Sequence, residues 1–210
     1  MYNPFNSPIQ ADRRFDMQIK ADKLRLLYQQ SFPAVFLSLA SALLLAIILW
    51  PHTEQTVLLG WLGALIIASA ARVVLFMTYR HSPPEGMSIL SWERPYLTTL
   101  MLSSLIWGLG GVWIMPQDSL LYESVVLYFL MGMSAGAVSA YSAIRSFAIA
   151  AIAAVLLPAT IWMLTRGELT PVAMGLAAFL LLYSALRATK VLSTSAHVHR
   201  SHRPRRMWGG

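Results

Sequence analysis

Residues 103–141 read SSLIWGLGGVWIMPQDSLLYESVVLYFLMGMSAGAVSAY. The four-residue break PQDS separates two long apolar runs, and neither run alternates apolar with polar residues at a strand or amphipathic-helix period. A helix of about 20 such residues crosses a hydrocarbon layer ~30 Å thick. The break is too short for anything but an immediate return. The stretch therefore predicts two antiparallel transmembrane helices, at about 96–115 and 120–141, with Pro116 closing the first.

The same pattern extends in both directions. Toward the N-terminus a span is predicted at about 32–50, with Pro33 in its first turn, Trp50 at interface depth and Pro51 ending it. The loop PHTEQT then returns the chain into a span at about 57–78, followed by a linker interrupted by Pro83, Pro84 and Gly86. Toward the C-terminus a tight turn at Arg145 leads into a span at about 146–164, which Pro158 is expected to bend. A last span, at about 171–192, starts at Pro171, with Arg187 and Lys190 marking its exit. The expected fold is all-α, a six-helix polytopic bundle over residues 32–192, with a basic amphipathic segment at 1–31 and a His/Arg-rich tail at 193–210. A barrel would need alternating strands, which these runs lack.

Composition agrees. The chain is 57% hydrophobic and 12% charged, whereas a soluble domain carries roughly 25% charged residues. The net charge of +7 suits either nucleic acid or an anionic lipid surface, and the placement of the charges decides between them. Of sixteen Lys and Arg, fourteen fall in the N-terminal segment, the second-to-third linker, the Arg145 turn and the C-terminal end. The opposite loops hold only Arg166, with the acids Glu54, Asp118, Glu123 and Glu168. The positive-inside rule then puts both termini in the cytoplasm and makes anionic headgroups, with no nucleic acid, the expected partner. The N-terminus lacks the short basic start, apolar core and cleavage site of a secretory signal, so the first span is expected to stay as an anchor.

No phosphate loop, dinucleotide fingerprint, HExxH or carboxylate cluster is present, and the chain has no cysteine. No enzymatic activity, metal or cofactor is expected. All five histidines lie outside the spans, which argues against intramembrane haem or copper ligation. Two ionisable residues fall within apolar runs. Arg72 either snorkels to lipid phosphate or makes a structural pair, or serves a ligand or signal. Glu123 is either an interfacial carboxylate or part of an outward-facing pocket.

Small residues recur at close spacing as Ser104, Gly108 and Gly111 on the third span and Gly132, Gly136 and Ala140 on the fourth. They predict close packing of these two helices, or else a dimer or ligand groove. In the tail, Arg200, Arg203, Arg205 and Arg206 are expected to lie against anionic headgroups. The stretch from Ile9 to Tyr28 mixes Phe15, Ile19, Leu24, Leu26 and Leu27 with basic residues and reads as an amphipathic helix along the interface.

Several of these segments carry a resemblance. KLRLLYQQSFPAVFLSLASALLLAIILW, ARVVLF, the 103–141 stretch, LPATIWML and PVAMGLAAFLLLYSALRATK resemble the N-terminal six-span sensor module, of MASE type, found in proteobacterial signalling proteins ahead of PAS, GGDEF and EAL domains or histidine kinase cores. The resemblance covers about Leu24 to Lys190. It implies a bacterial inner-membrane location, a homodimer, and an input role in cyclic di-GMP or phosphorelay signalling. No GGDEF, EAL or kinase motif follows Lys190 in this sequence, so the expected partner is a separate output protein or a dimer mate. The alternative is a small six-span transporter or channel subunit. Outer loops of a few residues leave any stimulus membrane-soluble, small enough for a shallow pocket, or a property of the bilayer.

Overall fold

The computed structural model describes residues 8–81, 86–141 and 144–201, and among them the regular structure is entirely helical. The α-helices are α1 (Pro8–Leu49), α2 (Gln55–His81), α3 (Glu93–Ile114), α4 (Leu120–Tyr141), α5 (Arg145–Thr165) and α6 (Leu169–Ser201), with a 3-10 helix at Gly86–Trp92 before α3. Five segments are long and apolar enough to cross a membrane: Phe32–Leu49, Gln55–His81, Leu90–Ile114, Leu120–Tyr141 and Arg145–Thr165. The apolar part of α6, Leu169–Ala185, is shorter. The outward faces are as apolar as the inward ones, with Ile67 and Phe36 72% and 70% exposed. A helix bundle in water would present polar residues there.

The helices and turns fall close to their predicted places, but α1 differs. Instead of starting beside Pro33, it is a single helix of 42 residues that runs through Pro33. Its N-terminal part also does not stand apart along an interface. Ala21, Leu24 and Tyr28, joined by Leu27, form a stripe at helical spacing that is buried in the core. Tyr28 stacks on Tyr79 of α2 with ring centroids 4.3 Å apart and donates a hydrogen bond to the Trp92 carbonyl at 3.1 Å. Lys20 pairs with Glu93 at 2.7 Å. Burial, with Tyr96 and Tyr79 close by, pushes the Tyr28 phenol well above its ordinary range, so it remains a neutral donor. These partners lie more than fifty residues away in sequence, and they hold the segment as an extension of the bundle.

Helix α5 is the centre. Of its span 56% is buried inside the bundle, against 28–33% for the other four. It packs on α3, α4 and α6, while α1 and α2 complete the outside by packing on each other and on α4 and α3. The sharpest approach is between α3 and α5, where a Cβ at Gly108 would run into the carbonyl oxygen of Ala154. That carbonyl is the one whose helical partner would be the N–H of residue 158, and Pro158 has none. Proline frees the acceptor, and glycine lets α3 come close enough to cover it, an arrangement suited to a weak Cα–H···O contact. Helix α2 locks to α3 in a similar way: Trp61 lies over Gly110 and donates to the Ile106 carbonyl at 3.1 Å. Beyond α3, Thr53 donates to the Ile114 carbonyl at 2.9 Å, satisfying a helix-end acceptor.

Helices α3 and α4 do pack on each other, though less extensively than α3 on α5. Their close-packing positions are used separately: Gly108 faces α5, Gly111 meets Leu130 of α4 at ordinary to tight distance, and the α4 glycines face neither. Equal spacing on two helices does not by itself pair them; the freed carbonyl on α5 decides which neighbour α3 takes.

Candidate functional site

The glycines of α4 open onto a cleft. A Cβ added at Gly132 or Gly136 would meet nothing within 4 Å. Together with Ala140 and Tyr141 they form one wall of a cavity of about 650 Å³, whose other walls are the Pro33–Ser41 face of α1 and the Ser104–Trp107 face of α3. Beyond α1, the His52 ring lies tilted against Tyr122 of α4 with centroids 3.8 Å apart, so the two sides of the cleft are tied together at the end remote from Tyr141. Trp107 donates its indole N–H to Ser38 Oγ at 2.9 Å and braces the back of the cleft to α1.

Arg72 of α2 closes the other end. It lines the cleft, is only 6% exposed and is packed against tyrosines of α3 and α4. Its Nη2 donates to the Tyr141 hydroxyl at 2.9 Å and to the Tyr96 hydroxyl at 3.4 Å, and Tyr96 in turn donates to the Leu27 carbonyl at 3.4 Å. The guanidinium carbon lies 5.5 Å and 5.4 Å from the centroids of the same two rings, within cation–π range. Its Nε is buried with no hydrogen-bond partner. Among the described residues no carboxylate pairs with Arg72; the two ion pairs are Lys20 with Glu93 and Arg166 with Glu123.

Glu123 belongs elsewhere. It is 1% exposed and does not line the cleft. Arg166 Nη1 stands 3.1 Å from its Oε1, an ion pair without hydrogen-bond alignment, and Arg166 Nη2 donates to the Gln117 carbonyl at 3.2 Å. Through Arg166, Glu123 joins the start of α4 to the turn between α5 and α6. That turn uses Gly167 at φ 75°, a left-handed conformation that favours glycine.

The cleft brings together Arg72, Ser104, Gly132, Gly136 and Ala140 from the sequence reading, and leaves out Gly108, Gly111 and Glu123. The side chain of Arg200, together with Arg203, Arg205 and Arg206, lies outside the described residues. Sequence reasoning missed Tyr96, Tyr141, Trp107 and Ser38. Depth counting offered one signal: Tyr96 begins the third span and Tyr141 ends the fourth, so both lie at the same level as Arg72. No protein-family model, curated protein or solved structure matches the chain significantly.

Proposed function

We propose that the chain is a membrane-embedded input module of bacterial signal transduction, of the cyclic di-GMP or phosphorelay type, that crosses the inner membrane six times with both termini in the cytoplasm. The observation that carries this reading is the cleft between α1 and α4, which ends on a buried cation. A recognition site needs a cavity of some hundreds of Å³ with a few convergent polar groups, and this one fits that description.

The walls offer a route out of the membrane. Helix α1 forms one side of the cleft and continues beyond its apolar segment as the stripe from Ala21 to Tyr28. Helix α4 forms the other side and packs on α6, whose helix runs on to Ser201. A change in the spacing of α1 and α4 thus bears on both helices that leave the apolar layer. The output would be read by a dimer partner or an effector protein that senses this displacement. Transport is less well supported. Helices α2 to α5 run unbroken through their apolar segments, whereas transporters usually interrupt helices near mid-depth.

Residues 1 to about 192 fused to a diguanylate cyclase catalytic domain are expected to give a membrane-bound dimer whose activity changes on Gly136→Leu. Activity indifferent to changes in the α3 and α4 glycines removes the packing-switch idea. Reproducible solute flux through the purified protein in liposomes would overturn it in favour of a transporter. Reporter fusions at 51–54, at 116–119 and between His81 and Gly86 test the crossings: the first two should report outside and the third inside.

A further inference from the structure

Arg72 is a cation without an anion. A guanidinium held in an apolar layer is costly unless its charge is matched, and phenol hydroxyls and ring faces supply dipoles rather than charge. Buried ion pairing is available elsewhere in this bundle, at Glu123 and Arg166, yet Arg72 is given two tyrosines and the end of a cleft. The Nε N–H retains a donor that nothing in the described residues takes up.

The rest of the cleft is mainly apolar, with the hydroxyls of Ser41 and Ser104 also on its lining. Ser103 donates to the Thr99 carbonyl at 3.1 Å and Ser139 to the Gly136 carbonyl at 3.2 Å, each within its own helix. Ser38 is occupied by the Trp107 indole. The lining otherwise includes Leu37, Leu100, Phe129, Met133 and the bare backbone at Gly132 and Gly136. The lining runs along α4 from Tyr128 to Tyr141, about 20 Å at 1.5 Å per residue. The shape is long and apolar with one positive end.

We propose that this cleft binds a single-chain fatty acid, its carboxylate on Arg72 between Tyr96 and Tyr141 and its tail along the Gly132–Gly136 face of α4. The inference rests on the reading of the cleft as a recognition site. A free acid is favoured over a bilayer phospholipid because Arg72 is 6% exposed. A lone carboxylate at a chain end can enter to that depth, whereas a phosphate joined to glycerol and a second chain stays at the interface. Carboxylate also matches the planar guanidinium donors.

The full chain in zwitterionic nanodiscs is photolabelled with a palmitate analogue carrying a diazirine in its tail, and palmitate and hexadecanol compete. Saturable labelling on the peptides containing Ser38 and Gly136 is expected, with hexadecanol competing at least about tenfold more weakly, as loss of a charged hydrogen bond predicts. Arg72→Gln should abolish that preference. Gly136→Leu should abolish labelling while leaving the fold intact, because its side chain enters open space. Equal competition by hexadecanol, or labelling that never saturates, overturns the assignment. So does a phospholipid retained through delipidation that palmitate does not displace. If palmitate binds but leaves the cyclase fusion unaffected, the input-module reading fails and the ligand stands. If the fusion responds to cleft substitutions and palmitate does not bind, only the ligand falls.

Discussion

Two helices of this bundle carry small residues at the same four-residue scale, and they meet opposite fates. On α3, Gly108 is pressed against the backbone of α5. On α4, Gly132 and Gly136 border a cavity and touch nothing a side chain would meet. The first stripe makes a seam and the second makes room. Small residues in apolar helices are commonly read as glue; here the difference lies in the neighbour. Pro158 presents an unsatisfied carbonyl to α3, whereas α4 faces a helix, α1, held off by Trp107 and Ser38 on one side and by Arg72 with its tyrosines at the end.

The comparison breaks most readily at the seam. Gly108→Ala should destabilise the protein by about 1–3 kcal/mol, the usual range for overpacking, and Gly108→Leu should leave little folded protein, because the obstacle is backbone. Thermal unfolding in detergent measures both, and an unchanged midpoint for Gly108→Ala would show that the seam is loose.

The next effect comes from the cleft's end. Tyr141→Phe removes the 2.9 Å bond to a buried cation and should cost about 1.5–3 kcal/mol, read by the same unfolding experiment. Arg72→Met combined with Tyr141→Phe should cost less than Tyr141→Phe alone, since replacing both members of a buried polar pair by apolar side chains is often nearly neutral. Removing the hydroxyl alone would then hurt more than removing it together with the charge it serves. A larger loss in the double variant would mean that the arginine is needed for the fold.

The smallest effect sharpens the contrast. Gly136→Ala adds a methyl in open space within a helix and should be neutral or stabilising by about 0.5–1 kcal/mol. Opposite signs at Gly108 and Gly136, for the same substitution, are what separates a seam from a cleft.

The helices and their turns were legible because an apolar run with no polar face has few alternatives to a span. The start of α1 was not. Pro33 sits well in a first turn, and only the partners Tyr79, Trp92 and Glu93 show why the helix continues toward the N-terminus. Arg72 was marked as notable on its type and depth alone. Its fate depended on Tyr96 and Tyr141, 24 and 69 residues away, and such distant pairing leaves no local pattern. The glycine stripes were visible while their difference was not, since spacing carries no information about the opposing backbone.

The α1–α4 cleft should adapt to a ligand while the α3–α5 seam should not. The chain has no cysteine, so paired spin labels can be placed freely. Labels at lipid-facing Phe36 and Ala135 report on the cleft, and labels at Leu102 and Ile161 report on the seam. Palmitate added to the protein in nanodiscs should shift or narrow the first distance distribution and leave the second unchanged. No change across the cleft, or equal changes in both pairs, would contradict the account.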